Sequence, residues 1–200
     1  MQYIDLTQTF NSDMPVYPGD SKPELISMDT DGIMDHKLST GMHVGTHMDG
    51  PLHMVPGGKR LSEIDVKNFF GRGKLIDARG RLEVDADFLQ GVEAGDMVFV
   101  LTGHASKFRD PDYYETYPKL TEALAERLVA LKVKLVGMDT PSPDYAPYNV
   151  HKILLSHEIL IIENLTNLEK LLNKDFEVVA LPAKLDTDAA PVRVIAKINN

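Results

Sequence analysis

The chain has 200 residues, 43% hydrophobic and 26% charged, which suits a single domain over residues 1–200 with a sizeable core. A formal net charge of −9 excludes the basic face that a nucleic-acid partner or an acidic membrane surface requires. Cysteine is absent, which excludes disulfides and thiolate metal sites.

The opening MQYIDLTQTF has neither a basic n-region nor an apolar run, and no later run approaches a membrane span. A soluble, cytoplasmic protein is therefore expected. In chain order, YIDLTQTF, ELISMDT and HKLST read as short strands between turn signals. MPVYPGD (14–20) and PSPDYAP (141–147) read as ordered loops. GKLIDA and DMVFVLTG read as strands, with DADFLQG between them as a short helix. PKLTEALAERLVALKV predicts a helix with Leu120, Leu124, Leu128 and Leu131 on one stripe. KLVGMDT follows as a buried strand, NVHKILLSHE as a helix and ILIIENL as a strand. TNLEKLLNK reads as a helix capped by Thr166 with Glu169 three residues on. FEVVALPAKL and PVRVIAKI close the chain as strands. The interleaving predicts a mixed α/β fold.

The stretch HVGTHMDGPLH, His43 to His53, holds three of the chain's seven histidines and an aspartate. Gly45, Gly50 and Pro51 argue against a continuous helix there. On an ideal helix His43 and His47 would point about 160° away from Asp49 and His53. On one extended strand the four would share a face but spread over roughly 33 Å. If they act together the chain must coil, and the glycines and proline supply the turns. Histidine and carboxylate without sulfur suit Zn²⁺, Mn²⁺ or Fe²⁺, and the lack of cysteine favours an open, catalytic site over a closed structural one. The competing reading is a set of polar loop histidines.

The motif resembles H-x-G-T-H-x-D-x-P-x-H, the signature of the cyclase family of metal-dependent hydrolases, to which bacterial kynurenine formamidases and isatin hydrolases belong. IDLTQTF…MPVYPGD, LTGH, VGMDTPSPD and HKILLSHEILIIENLTNL extend the resemblance along most of the chain. It implies a swivelling β/β/α fold, with a β-barrel-like core and peripheral helices. It implies His43, His47 and Asp49 as first metal ligands. A second ion would be held by Asp49, His53, His151 and Glu163; single-ion members leave the last motif histidine free. The expected cofactor is Zn²⁺ or Mn²⁺, one ion or two. The implied reaction is hydrolysis of a small amide, N-formylkynurenine foremost, with His53 and then Glu163 as candidates for moving the proton. A homodimer or homotetramer is implied as well.

His104 stands where formamidase-like members commonly carry Trp, and the chain has no Trp, so His104 is a candidate for hydrogen bonding a polar substrate. Tyr17, Phe108, Tyr113, Tyr114 and Tyr117 are candidates for an aromatic pocket, although FRDPDYYETYP reads first as a surface loop packed on the core. Thr46 is expected to shape the loop or to hydrogen-bond a ligand, and His157 to be structural or exposed. The alternatives are ring opening of a cyclic amide or lactone, a non-catalytic metal-binding protein, and an interaction domain with incidental histidines.

Overall fold

The structure, a computed structural model, describes residues 1–198. Its strands are β1 (Gln2–Asp5), β2 (Glu24–Thr30), β3 (Ile33–Ser39), β4 (His47–Asp49), β5 (Phe70–Asp77), β6 (Glu83–Val84), β7 (Met97–Leu101) and β8 (Lys119–Leu120). Helix α1 (Glu122–Leu131) leads to β9 (Leu135–Met138), and α2 (Asn149–Ser156) to β10 (Leu160–Glu163), β11 (Phe176–Pro182) and β12 (Ala189–Ile198).

Strands β5, β7, β9 and β10 pair in parallel, in that order. β11 runs antiparallel to β5, and β12 antiparallel to β11. The three residues of β4 pair antiparallel with β10 on one side and β12 on the other, which closes a seven-stranded barrel. β1 lies along the Ile195–Ile198 end of β12. The expected mixed α/β barrel with outer helices is what forms.

The run Met97-Val98-Phe99-Val100-Leu101 explains how both faces of such a strand are used. Met97, Phe99 and Leu101 join the cluster filling the barrel with Leu135, Leu160 and Ile162. Val98 and Val100 face outward, against Leu124 and Leu128 of α1 and Leu154 and Leu155 of α2. A parallel strand covered on both sides reads as a continuous apolar run. Burying each of these leucines stabilises the fold by about 1.5–3 kcal/mol.

Several elements depart from the sequence reading. The helix expected from Pro118 begins only at Glu122, because Leu120 is the partner of Val84 in a short parallel pairing and Thr121 caps the helix, accepting from the Leu124 N–H at 3.1 Å. The TNLEKLLNK segment is a single 3₁₀ turn, Leu168–Leu171, flanked by Asn167 in the left-handed region rather than capped by Thr166. Its two buried side chains, Leu168 and Leu171, are three residues apart, the repeat of a 3₁₀ turn. DADFLQG is likewise one turn, Ala86–Phe88, started by the Asp85 carboxylate on the Ala86 N–H. HKLST is the end of a longer strand. β2 and β3 form a hairpin around Asp31-Gly32, both at positive φ, the conformation in which an Asp-Gly pair turns a hairpin tightly.

Candidate metal centre

The motif does coil, at the places where the sequence allows it. Gly45 has φ +66°, and a Cβ there would meet the Met14 Cε at 2.6 Å, so the turn requires glycine. His47 and Asp49 follow on β4, two residues apart and hence on one face, while Met48 points into the barrel. Gly50 and Pro51 then open the 3₁₀ turn Pro51–His53. The barrel closure brings in the distant candidate ligands. Glu163 is the direct cross-strand partner of His47. Ala189, beside Asp188, is the partner of Asp49 from the other side, and the Gly50 N–H donates to the Asp188 carbonyl at 2.8 Å. His151 comes from α2.

The result is a dense array. His43 Nδ1 lies 3.0 Å from Asp49 Oδ1, and His47 Nε2 lies 3.5 Å from the same oxygen. Glu163 places one oxygen 3.3 Å from His47 Nε2 and the other 3.3 Å from His151 Nε2. His151 Nδ1 is 2.6 Å from Asp144, and Asp144 also accepts from the Val150 N–H. His47 Nδ1 donates to the Gly45 carbonyl at 2.8 Å, which turns Nε2 towards Asp49 and Glu163. Holding the far nitrogen by hydrogen bonding is how proteins orient a ligand imidazole.

Three polar atoms of this array are buried with no hydrogen-bond partner among the described residues: His47 Nε2 and both carboxylate oxygens of Asp49. The approach of His43 and His47 to Asp49 is close, but it lacks the geometry of a hydrogen bond. Leaving three such atoms unpaired is costly in a folded interior, and a cation between them would satisfy all three. Two triads offer donor atoms within 4.8 Å of one another and share Asp49: His43–His47–Asp49 and Asp49–His53–His151. The residues present therefore fit a metal ion.

The electrostatics agree. Burial opposes charge on His43, but Asp49 and Asp188 outweigh it and push its pKa up to about 9. Burial likewise opposes charge on His151, yet Asp144 and Glu163 push it up to about 10. Asp49 and Glu163 are held below their ordinary values by the surrounding imidazoles despite complete burial. His53 moves the other way: burial lowers it, aided by the neighbouring His43 and His151.

These groups form the floor of a cavity of about 290 Å³. His43, Asp49, His53, His151 and Glu163 line it. Tyr17 lines it too, its hydroxyl 3.4 Å from that of Tyr148. That contact and burial push the Tyr17 phenol up to about 12. His104 does not line the cavity. It is buried, stacked on Tyr113 with ring centroids 4.8 Å apart, and its Nε2 donates to the Tyr113 carbonyl. One ring nitrogen and one face are thus engaged by Tyr113. Of the other aromatics, Tyr114 reaches the cavity, while Phe108, Tyr113 and Tyr117 are buried in the loop's own packing. Thr46 is structural: its hydroxyl donates to the Asn164 carbonyl and accepts from the Gln8 N–H, tying β4 to the loop after β10. His157 is exposed at the end of α2.

Sequence reasoning missed Asp188, Asp144, Tyr148 and Asp20. Asp188 Oδ2 lies 3.0 Å from His43 Nε2 and 3.2 Å from His53 Nδ1, so a single oxygen orients two imidazoles. Only an acidic residue immediately before the last strand hinted at it.

Residues 4–145 match the Cyclase family model. A kynurenine formamidase of Bacillus mycoides is 32% identical over 209 residues, covering 98% of this chain and 97% of that protein. The structure of a predicted metal-dependent hydrolase from Bacillus stearothermophilus superposes with a TM-score of 0.82 at 28% identity, covering 98% and 97% of the two chains. Isatin hydrolase A from Ralstonia solanacearum shares the fold, with a TM-score of 0.87 at 23% identity over 98% and 91% of the two chains.

Proposed function

Because the chain belongs to the Cyclase family, we propose that it is a metal-dependent hydrolase of small amides, cleaving a C–N bond outside peptides, with N-formylkynurenine to kynurenine and formate as the leading reaction. The observation that carries this is the trio of buried, unpartnered atoms on His47 and Asp49 at the floor of an open cavity. His43, His47 and Asp49 would hold one ion. In a two-ion site Asp49, His151 and Glu163 would hold the second with His53; in a one-ion site His53 stays free to move the proton. The imidazole and carboxylate donors suit Zn²⁺ or Mn²⁺. When bound, such a cation supplies Lewis acidity to a carbonyl oxygen and lowers the pKa of a water.

The chain's own residues do the rest. Asp188 holds His53 through Nδ1, which leaves Nε2 to take a proton from water and return one to the leaving nitrogen. Glu163, spanning His47 and His151, is the second group able to hold that proton. Tyr17 and Tyr114 meet edge to face at 5.6 Å and give an aryl group a wall to pack on.

The test is turnover of N-formylkynurenine by metal-stripped protein before and after return of Zn²⁺ or Mn²⁺, with isatin run in parallel. Metal-restored deformylation supports the proposal. Turnover of isatin alone replaces it with ring opening. Metal uptake without turnover of either supports a non-catalytic metal-binding protein.

We also infer a homodimer formed through the β2–β3 hairpin. All fourteen strand residues are exposed, including Leu25, Ile26, Met28, Ile33, Met34 and Leu38. A two-stranded hairpin of this kind is marginal alone, and its open edges and apolar side chains are what a second copy of the same hairpin would cover.

A further inference from the structure

The floor of the cavity is built to hold cations, but its rim carries a different chemistry. Tyr17-Pro18-Gly19-Asp20 is a tight turn: the Asp20 N–H donates to the Tyr17 carbonyl at 2.9 Å, and Gly19 sits at φ +100°. Proline second and a positive-φ glycine third are what a type II turn requires. The turn brings the first and fourth residues side by side, and both Tyr17 and Asp20 line the cavity. Opposite them stands Tyr148, in contact with the Tyr17 hydroxyl and packed at 88° against the His151 ring. Tyr148 is held at φ +61° as the residue that starts α2, a conformation that costs a non-glycine residue about 1–2 kcal/mol. Tyr114 completes the wall through its edge contact with Tyr17.

Charge at this rim is one-sided. Among the described residues, no Lys or Arg lines the cavity, and Asp20 is the exposed carboxylate there. Asp49 and Glu163 are buried below, facing the imidazoles of the candidate metal centre. Three tyrosines and an exposed carboxylate lining one cavity form a setting that attracts an organic ammonium by both ring quadrupole and charge. The net charge of −9 draws cations from a distance as well.

We propose that Asp20, with Tyr17, Tyr114 and Tyr148, forms a subsite for an organic ammonium group, so that the preferred substrates carry a positive charge on the part of the molecule remote from the scissile amide. This deepens the amide-hydrolase reading and rests on it for the reaction, but the binding preference stands apart from turnover.

The experiment measures binding of choline and of 3,3-dimethylbutan-1-ol, its uncharged isostere with carbon in place of nitrogen, to the metal-loaded protein by calorimetry. The two share the hydroxyl, so any contact it makes with the metal cancels in the comparison. Wild type is expected to bind choline at least about fivefold more tightly, the scale of an exposed ion pair with a cation–π contribution. Asp20→Asn, conservative and at an exposed turn, removes most of that preference. Tyr148→Ala reduces it independently, and circular dichroism reports whether that variant folds. Equal affinity for the two compounds in wild type, or an undiminished preference in Asp20→Asn, overturns the subsite. N-formylkynurenine, whose side chain carries an ammonium, separately reads the hydrolase assignment. Its failure to turn over in the metal-loaded protein, with the choline preference intact, would remove the leading reaction and leave the ammonium site standing.

Discussion

A carboxylate with both oxygens buried and unpaired is a residue kept for a ligand, and Asp49 is that residue here. His43 and His47 converge on it, and each is steered by its other nitrogen, to Asp188 and to the Gly45 carbonyl respectively. His53 shares Asp188, which holds its Nδ1 and leaves Nε2 as the candidate for carrying the proton. His53→Ala is accordingly expected to lower kcat by about 10²–10⁴-fold, the usual contribution of a positioned acid–base group, with KM little changed and metal retained. Metal lost in step with rate, measured by atomic emission on the same preparation, would make His53 a ligand instead. At this scale the sequence was legible where the candidate ligands are close neighbours. The His43–His53 spacing, with its glycines and proline, pointed to a coil. Asp188 lies 135 residues from His53 in sequence, and Asp144 seven from His151, with no motif of their own. Their roles arise only once β12 and α2 have docked. His104 had a local context that read as a substrate contact, yet its partner turned out to be the carbonyl of Tyr113.

Short elements carry the precision of the site. β4 is three residues long, but it is paired on both sides, and that double pairing sets Glu163 opposite His47 and Asp188 beside Asp49. Long elements were readable from periodicity and β-branched content: β7, α2 and β11 lie within the segments expected, and β12 starts two residues before its segment. The single 3₁₀ turns at Ala86–Phe88 and Leu168–Leu171 were not, because a start signal is shared by one turn of either helix type, and only the second turn buries side chains, Leu168 and Leu171. Among the described residues, the β2–β3 hairpin pairs with no other strand of its own chain. Ile33 lies on one of its faces and Leu38 on the other, both exposed. Replacing both with Lys is expected to convert a dimer to a monomer by light scattering, with the barrel's thermal transition retained. A wild-type protein that is monomeric at all concentrations would contradict the inferred interface.

At the scale of the whole molecule, the closed barrel leaves few open edges, and one strand-end ion pair ties its acid stability to a specific carboxylate. Burial works against charge on Asp96, but Arg72 grips it with two contacts of 2.8 Å and the Glu93 N–H adds a third, so its pKa falls below the ordinary value. A folded-state pKa below the unfolded one means that the unfolded chain binds more protons, so stability rises with pH through the acid range. This contribution is full above the unfolded carboxylate value near about 4 and is lost as pH falls through the lower folded value. Denaturant titrations across that window are expected to show a flatter acid limb in Asp96→Asn than in wild type. Identical limbs would show that Asp96 does not set it. Among the described residues, no helix is long and apolar enough to cross a membrane.

The central claim is that the buried group around Asp49 is a metal site. It is tested most directly by metal content per chain, by atomic emission, in wild type and Asp49→Ala after gel filtration without chelator, with circular dichroism confirming that both are folded. At least one divalent ion per wild-type chain and near-total loss in the folded variant is the predicted result. Equal metal content in the two, or none in wild type even after incubation with Zn²⁺ and Mn²⁺, would contradict it.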